Sequence, residues 1–458
     1  MAKDKDANRL YLGVDVGGTK VLAALVEQSG AIVARERVST PRDSPPEEVL
    51  QAIMGAMDNA LAAGEQSNEG LKAIGITIPG VVDPDRGRVI VTPNLNLSGM
   101  EIVPAIEQRF DAPVAMGNDV NMGTLGEKWL GAARNARSAV GIFVGTGIGG
   151  GVIVDNNLVR GGREAAGEIG HLVMQVGGPL CGCGNRGCLE ALASRTAIER
   201  NIREAIAAGR ESSISAELGD KNVIKSKMLK RALKAEDPVV TEVMRAASEM
   251  LGYACLSVRH LIDPDVIILG GGVIEACGSF VLPIVREVLE ADSLPGARPG
   301  GYVVESELGD DAVVLGAVAL AQELVGDSPF DGRPDTIPKY PKVTYAGVGE
   351  VAVGGKIYKS DIYIRCDGKV KKRDKKAVKQ LYGTSHKIGP EELEKVCKGT
   401  PEVLVIGMGN SGMTTLTAEG EEYLRNKCIA VEALPNKKAV KAYNRATGRK
   451  AALFHASC

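Results

Sequence analysis

Residues 11–33 read YLGVDVGGTKVLAALVEQSGAIV: an apolar run, a glycine turn, a second apolar run, a Ser-Gly turn and a third run. That order predicts a meander of three strands. The pattern returns at residues 139–161 as AVGIFVGTGIGGGVIVDNNLVRG. There Gly141–Val144, the Gly-Thr-Gly turn at 145–147 and Gly151–Val154 fall into register with the first copy. Two copies are too few for a solenoid, so they predict two structurally similar halves.

Around these meanders, helical spacing marks Pro45–Gly64 and Pro104–Phe110, and Ala73–Ile78 reads as a strand. Downstream, Glu199–Ala208, Asp237–Leu261 and Asp311–Leu324 read as helices, and Val266–Leu269 as a strand entering Gly270-Gly271-Gly272. Alternating strands and helices favour a mostly parallel or mixed α/β sheet. The stretch 327–341 is rich in proline and without apolar periodicity, which marks a linker. Beyond it, short Val/Ile/Tyr strands, the charge run KVKKRDKK at 369–376, a helix at Gly389–Cys397 and the strand Val403–Ile406 predict a separate domain over 342–458.

The composition fits this division. A chain of 458 residues suits about three domains at roughly 150 residues each. With 57 glycines and 16 aromatic residues, tight turns are abundant and base-stacking platforms are scarce, which argues against nucleic acid as a partner. Before Pro329 there are 31 Lys and Arg against 43 Asp and Glu, and from Pro329 onward 24 against 14, so a formal charge of −2 averages an acidic and a basic part. A solvated basic surface accounts for the second part more readily than a nucleic-acid patch. No apolar run approaches the roughly 18 residues of a membrane span, and MAKDKDANRL lacks a signal-peptide core, so a cytoplasmic protein is expected.

Four constellations carry chemistry. Asp15 with Gly17, Gly18 and Thr19 forms a turn whose N–H groups can approach an anion while the carboxylate faces Mg²⁺ through water; a hairpin turn that merely needs glycine is the alternative. The second turn, with Thr146 and Gly147, strengthens the phosphate reading. Gly271 and Gly272 border a nucleotide or simply pack a strand against a helix. Asn118-Asp119-Val120-Asn121 puts a carboxylate at a strand end, suited to a general base, or else an Asx turn capping a helix. The most specific is Glu168-Ile-Gly-His171 followed by Cys181-Gly-Cys183-Gly-Asn-Arg-Gly-Cys188-Leu-Glu190. One imidazole and three thiolates make a closed Zn²⁺ set of structural type, against the alternative of a core histidine and free thiols. Glu168 and Glu190 bracket that loop, placed for sugar hydroxyls or for salt bridges. The other six cysteines show no spacing and read as reduced thiols.

DVGGTK, GNDVN, GTGIGGG, EIGH and CGCGNRGCLE, in this order, resemble the repressor, open-reading-frame and kinase (ROK) family, in its branch of bacterial glucokinases. The resemblance covers about residues 10–326. It implies an actin-like, ribonuclease-H-type α/β fold of two lobes, 1–125 with about 311–326 and 126–310, closing on a sugar, most simply glucose. It implies ATP as donor, a homodimer, Asp119 as the base for the sugar 6-hydroxyl, and sugar contacts from Asn118, Asp119, Glu168, His171 and Glu190, with Gly80 and Asn94 matching less securely. His171, Cys181, Cys183 and Cys188 match zinc ligands. Asp15, Gly17, Gly18, Thr19, Thr146, Gly147, Gly271 and Gly272 match ATP and Mg²⁺ positions. N-acetylhexosamine, fructose or polyphosphate-dependent kinases share these motifs. A repressor is disfavoured, since only nine residues precede Leu10 and the family's repressors carry a long N-terminal helix-turn-helix. A sugar-sensing or assembly module remains a reading of another class.

The C-terminal stretch from Val403 resembles a small α+β family that includes the mitochondrial complex I assembly factor 3, which suggests a protein partner. Gly407-Met-Gly-Asn-Ser-Gly412 with Glu432 imitates a dinucleotide fingerprint, but too little chain follows to complete a Rossmann sheet.

Overall fold

The computed structural model describes residues 10–92, 94–218, 223–294, 301–327, 329–330, 339–347, 349–398, 401–409, 413–427, 429–446 and 449–456. They divide into two compact units, one within 1–295 and 303–331, the other within 296–302 and 332–458. Among the described residues no helix is long and apolar enough to cross a membrane.

In the first unit the predicted meander forms as β1 (Leu10–Val16), β2 (Lys20–Glu27) and β3 (Ile32–Ser39). There follow α1 (Pro46–Ala63), β4 (Leu71–Ile78), the hairpin β5 (Val81–Asp83) and β6 (Arg88–Val91), α2 (Val103–Phe110) and β7 (Val114–Asn118). The sheet order is β3-β2-β1-β4-β7, with the meander antiparallel and β4 and β7 parallel to β1. Because β1 is covered on both faces, it is apolar apart from Asp15 rather than alternating. Leu12 and Val14 join a core with α1 and α2, while Tyr11 joins Met122, Leu125 and Val318 on the opposite face.

The second lobe repeats the plan with β8 (Ala139–Val144), β9 (Ile148–Val154) and β10 (Asn157–Leu158). Before that meander comes α3 (Asp119–Trp129), which packs on β8 and β9; after it follow α4 (Leu189–Ala193), α5 (Arg195–Ala207), α6 (Ser226–Lys234), α7 (Pro238–Ile262), β11 (Val266–Gly270), α8 (Gly272–Glu290) and β12 (Tyr302–Glu305). The order β10-β9-β8-β11-β12 mirrors the first sheet. Finally α9 (Ala312–Leu324) returns to β1 and β4. The expected lobe boundary at 125/126 falls inside α3, a continuous helix that packs on both α9 and β9. Glycine permits that packing: a Cβ on Gly126 would strike the Ala312 carbonyl, and one on Gly316 the Met122 carbonyl.

At the chain's expected linker, the Tyr11 hydroxyl and Lys72 both reach the Asp327 carboxylate, and residues 331–338 lie outside the described residues.

The second unit is α+β. A three-stranded antiparallel sheet, β13 (Val343–Gly347), β14 (Glu350–Val353) and β15 (Lys356–Tyr358), precedes β16 (Ile362–Ile364), β17 (Val370–Lys372), α10 (Lys375–Tyr382), β18 (Lys387–Ile388) and α11 (Pro390–Val396). Then come β19 (Val403–Gly407), β20 (Thr415–Leu416), α12 (Ala418–Asn426), β21 (Ala430–Leu434), α13 (Asn436–Arg445) and β22 (Lys450–Phe454). The main sheet runs β17-β16-β22-β19-β21. After β19 the fingerprint's Asn410, Ser411 and Gly412 lie outside the described residues, and a short strand, β20, comes before the next helix.

The charge run is not uniformly a solvated surface. Arg373 is fully buried and binds Glu392 through two bonds of 2.7 and 2.8 Å. It also faces Asp361 at 3.4 Å and the His455 ring at 3.2 Å, while His455 lies 2.6 Å from Asp361. Fork-shaped guanidinium chemistry matches the Glu392 carboxylate, which is why arginine rather than lysine serves there. Of the unspaced cysteines, Cys255, Cys277, Cys366 and Cys397 are free and buried; Cys428 and Cys458 lie outside the described residues.

Candidate active site

Both glycine turns are held by a closing backbone bond, a backbone N–H and a threonine hydroxyl, set on different carbonyls. In the first, the Gly17 N–H closes on the Lys20 carbonyl at 2.9 Å, the Thr40 hydroxyl donates to the Gly17 carbonyl at 2.7 Å, and the Thr40 N–H donates to the Thr19 carbonyl at 3.1 Å. In the second, the Gly145 N–H closes on the Gly147 carbonyl at 2.9 Å, the Thr196 hydroxyl donates to the Thr146 carbonyl at 2.7 Å, and the Arg195 N–H donates to the Gly145 carbonyl at 3.0 Å. These carbonyls are thereby occupied. The N–H groups of Gly18, Thr19, Thr146 and Gly147 have no hydrogen-bond partner among the described residues. Backbone that shows donors and hides acceptors is an anion cradle.

Asp15, at the end of β1, accepts a hydrogen bond from Thr77 at 3.1 Å. Burial holds its carboxyl at about 6 against an ordinary 3.8, and the neighbouring charge of Asp119 pushes the same way. Asp119 opens α3. Burial raises it too and the charge of Glu168 adds to that, while the Val120 N–H, 3.0 Å from Oδ1, opposes the rise. Two desolvated carboxylates, each raised by a neighbouring charge, are a pattern common at reactive or metal-facing sites.

Of the two sequence readings of the 118–121 tetrapeptide, the helix cap is observed, at Asn118. Asn118 is the helix cap: its Oδ1 accepts from the Val120 and Asn121 N–H groups at 2.9 and 3.3 Å. Its Nδ2 donates to the Gly80 carbonyl at 2.9 Å, fixing the turn in which Gly80 sits at φ +105°. Asn121 went unassigned from sequence. Its Oδ1 is buried without a partner and lines a small cavity with Gly80, Asn118, Arg160, Glu164 and Glu168. About 30 Å³ there is room for one or two waters or a substituent of that size.

Asn94 is exposed and lies against Gly18, on the side of the first glycine turn. Gly271, at φ +85°, caps α8, and a Cβ there would come within 2.7 Å of the Val144 carbonyl. Close packing therefore requires glycine at 271. Gly272 has open space, with only Ser226 Oγ, at 3.8 Å, near its missing Cβ.

His171, Cys181, Cys183 and Cys188 converge, their ligand atoms lying within 4.8 Å of one another. His171 Nδ1 is 3.7 Å from the Cys181 sulfur, and the Cys183 and Cys188 sulfurs are 3.8 Å apart. Ligands around a tetrahedral zinc, with Zn–S of about 2.3 Å and Zn–N of about 2.0 Å, stand roughly 3.6 to 3.8 Å apart, so the donor set fits that ion. The other imidazole nitrogen, Nε2, lies 3.9 Å from Glu168. Glu190, in the first turn of α4, faces two ways: Oε2 accepts from the Ile148 N–H at 2.9 Å beneath the second glycine turn, and Oε1 lies 3.7 Å from the Cys181 sulfur.

Residues 11–324 match the model of the ROK family, and residues 343–455 match a family described as a protein of unknown function (DUF498/DUF598). The chain is 32% identical over 318 residues to a glucokinase of Halalkalibacterium halodurans, covering 69% of this chain and 96% of that protein. It is 34% identical over 318 residues to a glucokinase of Streptomyces coelicolor, covering 69% and 98%. Among solved structures, a ROK family glucokinase from Streptomyces griseus in complex with glucose and AMPPNP superposes with a TM-score of 0.59 at 34% identity, over 69% of this chain and 99% of that one.

Proposed function

The chain belongs to the ROK family, and from that premise we propose that it is an ATP-dependent sugar kinase of the glucokinase type, converting glucose and ATP to glucose 6-phosphate and ADP. The observation that carries the reading is Asp119: a half-buried carboxylate with a raised proton affinity, near the carboxylate of Asp15, while Asn118 caps the helix. In this mechanism Asp119 accepts the proton of the sugar 6-hydroxyl as that oxygen attacks the γ-phosphorus and the bond to the ADP oxygen breaks. The N–H groups of Gly18, Thr19, Thr146 and Gly147 take the donor's phosphate oxygens, with Gly271 and Gly272 bordering the nucleoside.

Glu168, His171, Glu190 and Asn118 hold the sugar hydroxyls, and Gly80 shapes the turn beneath them, with Asn94 at the phosphate side. Asp15 is the residue to hold Mg²⁺, which when bound neutralises phosphate charge. His171, Cys181, Cys183 and Cys188 hold a structural zinc that fixes the loop carrying Glu190. We include a homodimer in this reading, checked by sedimentation of the full chain. A protein partner for the basic second unit is checked by comparing pull-downs of the full chain with those of a chain ending at 326.

Asp119→Ala should leave glucose binding intact and lower turnover by roughly 10²- to 10⁴-fold. A variant that keeps near wild-type rate refutes the base. A coupled assay across glucose, fructose and N-acetylhexosamines, each with ATP and with polyphosphate, fixes acceptor and donor; no turnover with any pair refutes the kinase.

A further inference from the structure

The N-terminus of α5 makes three bonds to the second glycine turn. Besides the Thr196 hydroxyl on the Thr146 carbonyl and the Arg195 N–H on the Gly145 carbonyl, Arg195 Nη2 donates to the Thr146 hydroxyl oxygen at 2.7 Å. A guanidinium has donors and no acceptor. Its bond therefore occupies a lone pair of Thr146 Oγ1 and leaves the hydroxyl hydrogen to be given elsewhere. The Arg195 side chain is itself braced, 3.3 Å from the Ile224 carbonyl and 3.9 Å from Glu199.

The first turn lacks this element. A threonine hydroxyl is bonded there too, Thr40 to the Gly17 carbonyl at 2.7 Å, one position earlier than Thr196 on Thr146, but no arginine is bonded to the Thr19 hydroxyl among the described residues. The two turns thus share a threonine clasp and differ by one cation.

We propose that Arg195 and Thr196 are positioning residues for the phosphate donor: they turn the 145–147 loop into a surface of donors only and commit the Thr146 hydroxyl to donate to a phosphate oxygen. The proposal rests on the kinase reading for its ligand but not for its geometry. Neither residue needs to touch the donor. Arg195 acts through the Thr146 side chain and Thr196 through the Thr146 carbonyl.

The test uses the full-length protein and four variants, Thr196→Val, Thr196→Ser, Arg195→Ala and Arg195→Lys. Binding of AMPPNP is measured by calorimetry, and KM is measured for ATP and for glucose. With one oriented hydrogen bond lost, the Kd for AMPPNP and the KM for ATP should each rise about five- to tenfold in Thr196→Val and Arg195→Ala. The KM for glucose should stay within about twofold. Thr196→Ser should restore wild-type values, and Arg195→Lys should restore part of them. A parallel rise in both KM values, or no rise in either, overturns the proposal. Should Thr196→Val fail to fold, Arg195→Ala against Arg195→Lys decides alone. If the wild type phosphorylates no sugar yet binds AMPPNP and the variants lose that binding, the kinase reading falls and this proposal stands. If the wild type binds no AMPPNP, the proposal falls with it.

Discussion

Gly316→Ala should damage activity from a position that contacts no substrate. A Cβ at 316 on α9 would land on the Met122 carbonyl of α3, and both groups are backbone, so no side chain can swing away. The helices must part by at least about an ångström to restore contact distance, and overpacking of that kind costs about 1–3 kcal/mol. For a unit of this size, roughly 2–4 °C of Tm per kcal/mol gives a fall of about 2–12 °C. The second consequence is chemical. Met122 lies one turn from Asp119 on the same helix, so the displacement reaches the proposed base, and an ångström of misplacement costs up to about 10²-fold in turnover. The internal control is Gly55→Ala, in the interior of α1, where a Cβ would meet nothing within 4 Å. It should gain about 0.5–1 kcal/mol from reduced chain freedom in the unfolded state. Circular dichroism melts and kcat at saturating substrates read both. Gly316→Ala with wild-type Tm and kcat would refute the packing argument, and a Gly55→Ala melt lower than wild type would refute the control.

Other outcomes follow from the same contacts. Asp15 has a folded-state pKa near 6 against 3.8, so its burial costs the fold nothing below pH 4 and about 2–3 kcal/mol once pH exceeds 6. Asp15→Asn should therefore raise Tm at pH 7.5 in the absence of Mg²⁺, leave it unchanged near pH 4, and abolish turnover; an unchanged Tm at pH 7.5 contradicts the assigned burial. Purified protein should contain about one zinc per chain, and chelation should raise the KM for the sugar by about 10- to 100-fold through Glu190. Less than half an equivalent of metal, or an unaffected KM after its removal, speaks against a structural Cys₃His site. Arg373→Met leaves Asp361 and Glu392 without their buried cation and should destabilise the second unit by about 3–5 kcal/mol. Calorimetry of the full chain should show the change in that unit's transition and not in the first unit's.

What the sequence made legible is what it repeated or crowded together. Two glycine turns in matching meanders announced the paired sheets, and three cysteines within eight residues announced the thiol cluster. The strand end at Asn118 and the helix that starts at Asp119 were legible in the amides that flank them. The clasps were not. Thr40 lies 23 residues from Gly17, and Thr196 lies 50 from Thr146, so nothing local distinguishes them from ordinary threonines. Asn121 belongs to a motif that was recognised, yet its role depends on a cavity closed by residues 160–168 of the other lobe. Arg373 was hidden for the opposite reason: seven neighbours in its run include five lysines and one aspartate, and only the fold separates the buried cation from the exposed ones. The crossing of α3 and α9 is written in Gly126 and Gly316, but each looks like a helix weakness until its partner carbonyl is known.

Glu190 joins two territories with one side chain: the thiol cluster through Cys181 and the backbone next to the second glycine turn through Ile148. A residue so shared has little freedom to drift, because any change there is felt at the same time by the thiol loop and the second glycine turn. Divergence of sugar preference in this chain's descendants, or its redesign at the bench, has a freer field at Asn121, Arg160 and Glu164, where a small cavity can be reshaped without unpicking either loop.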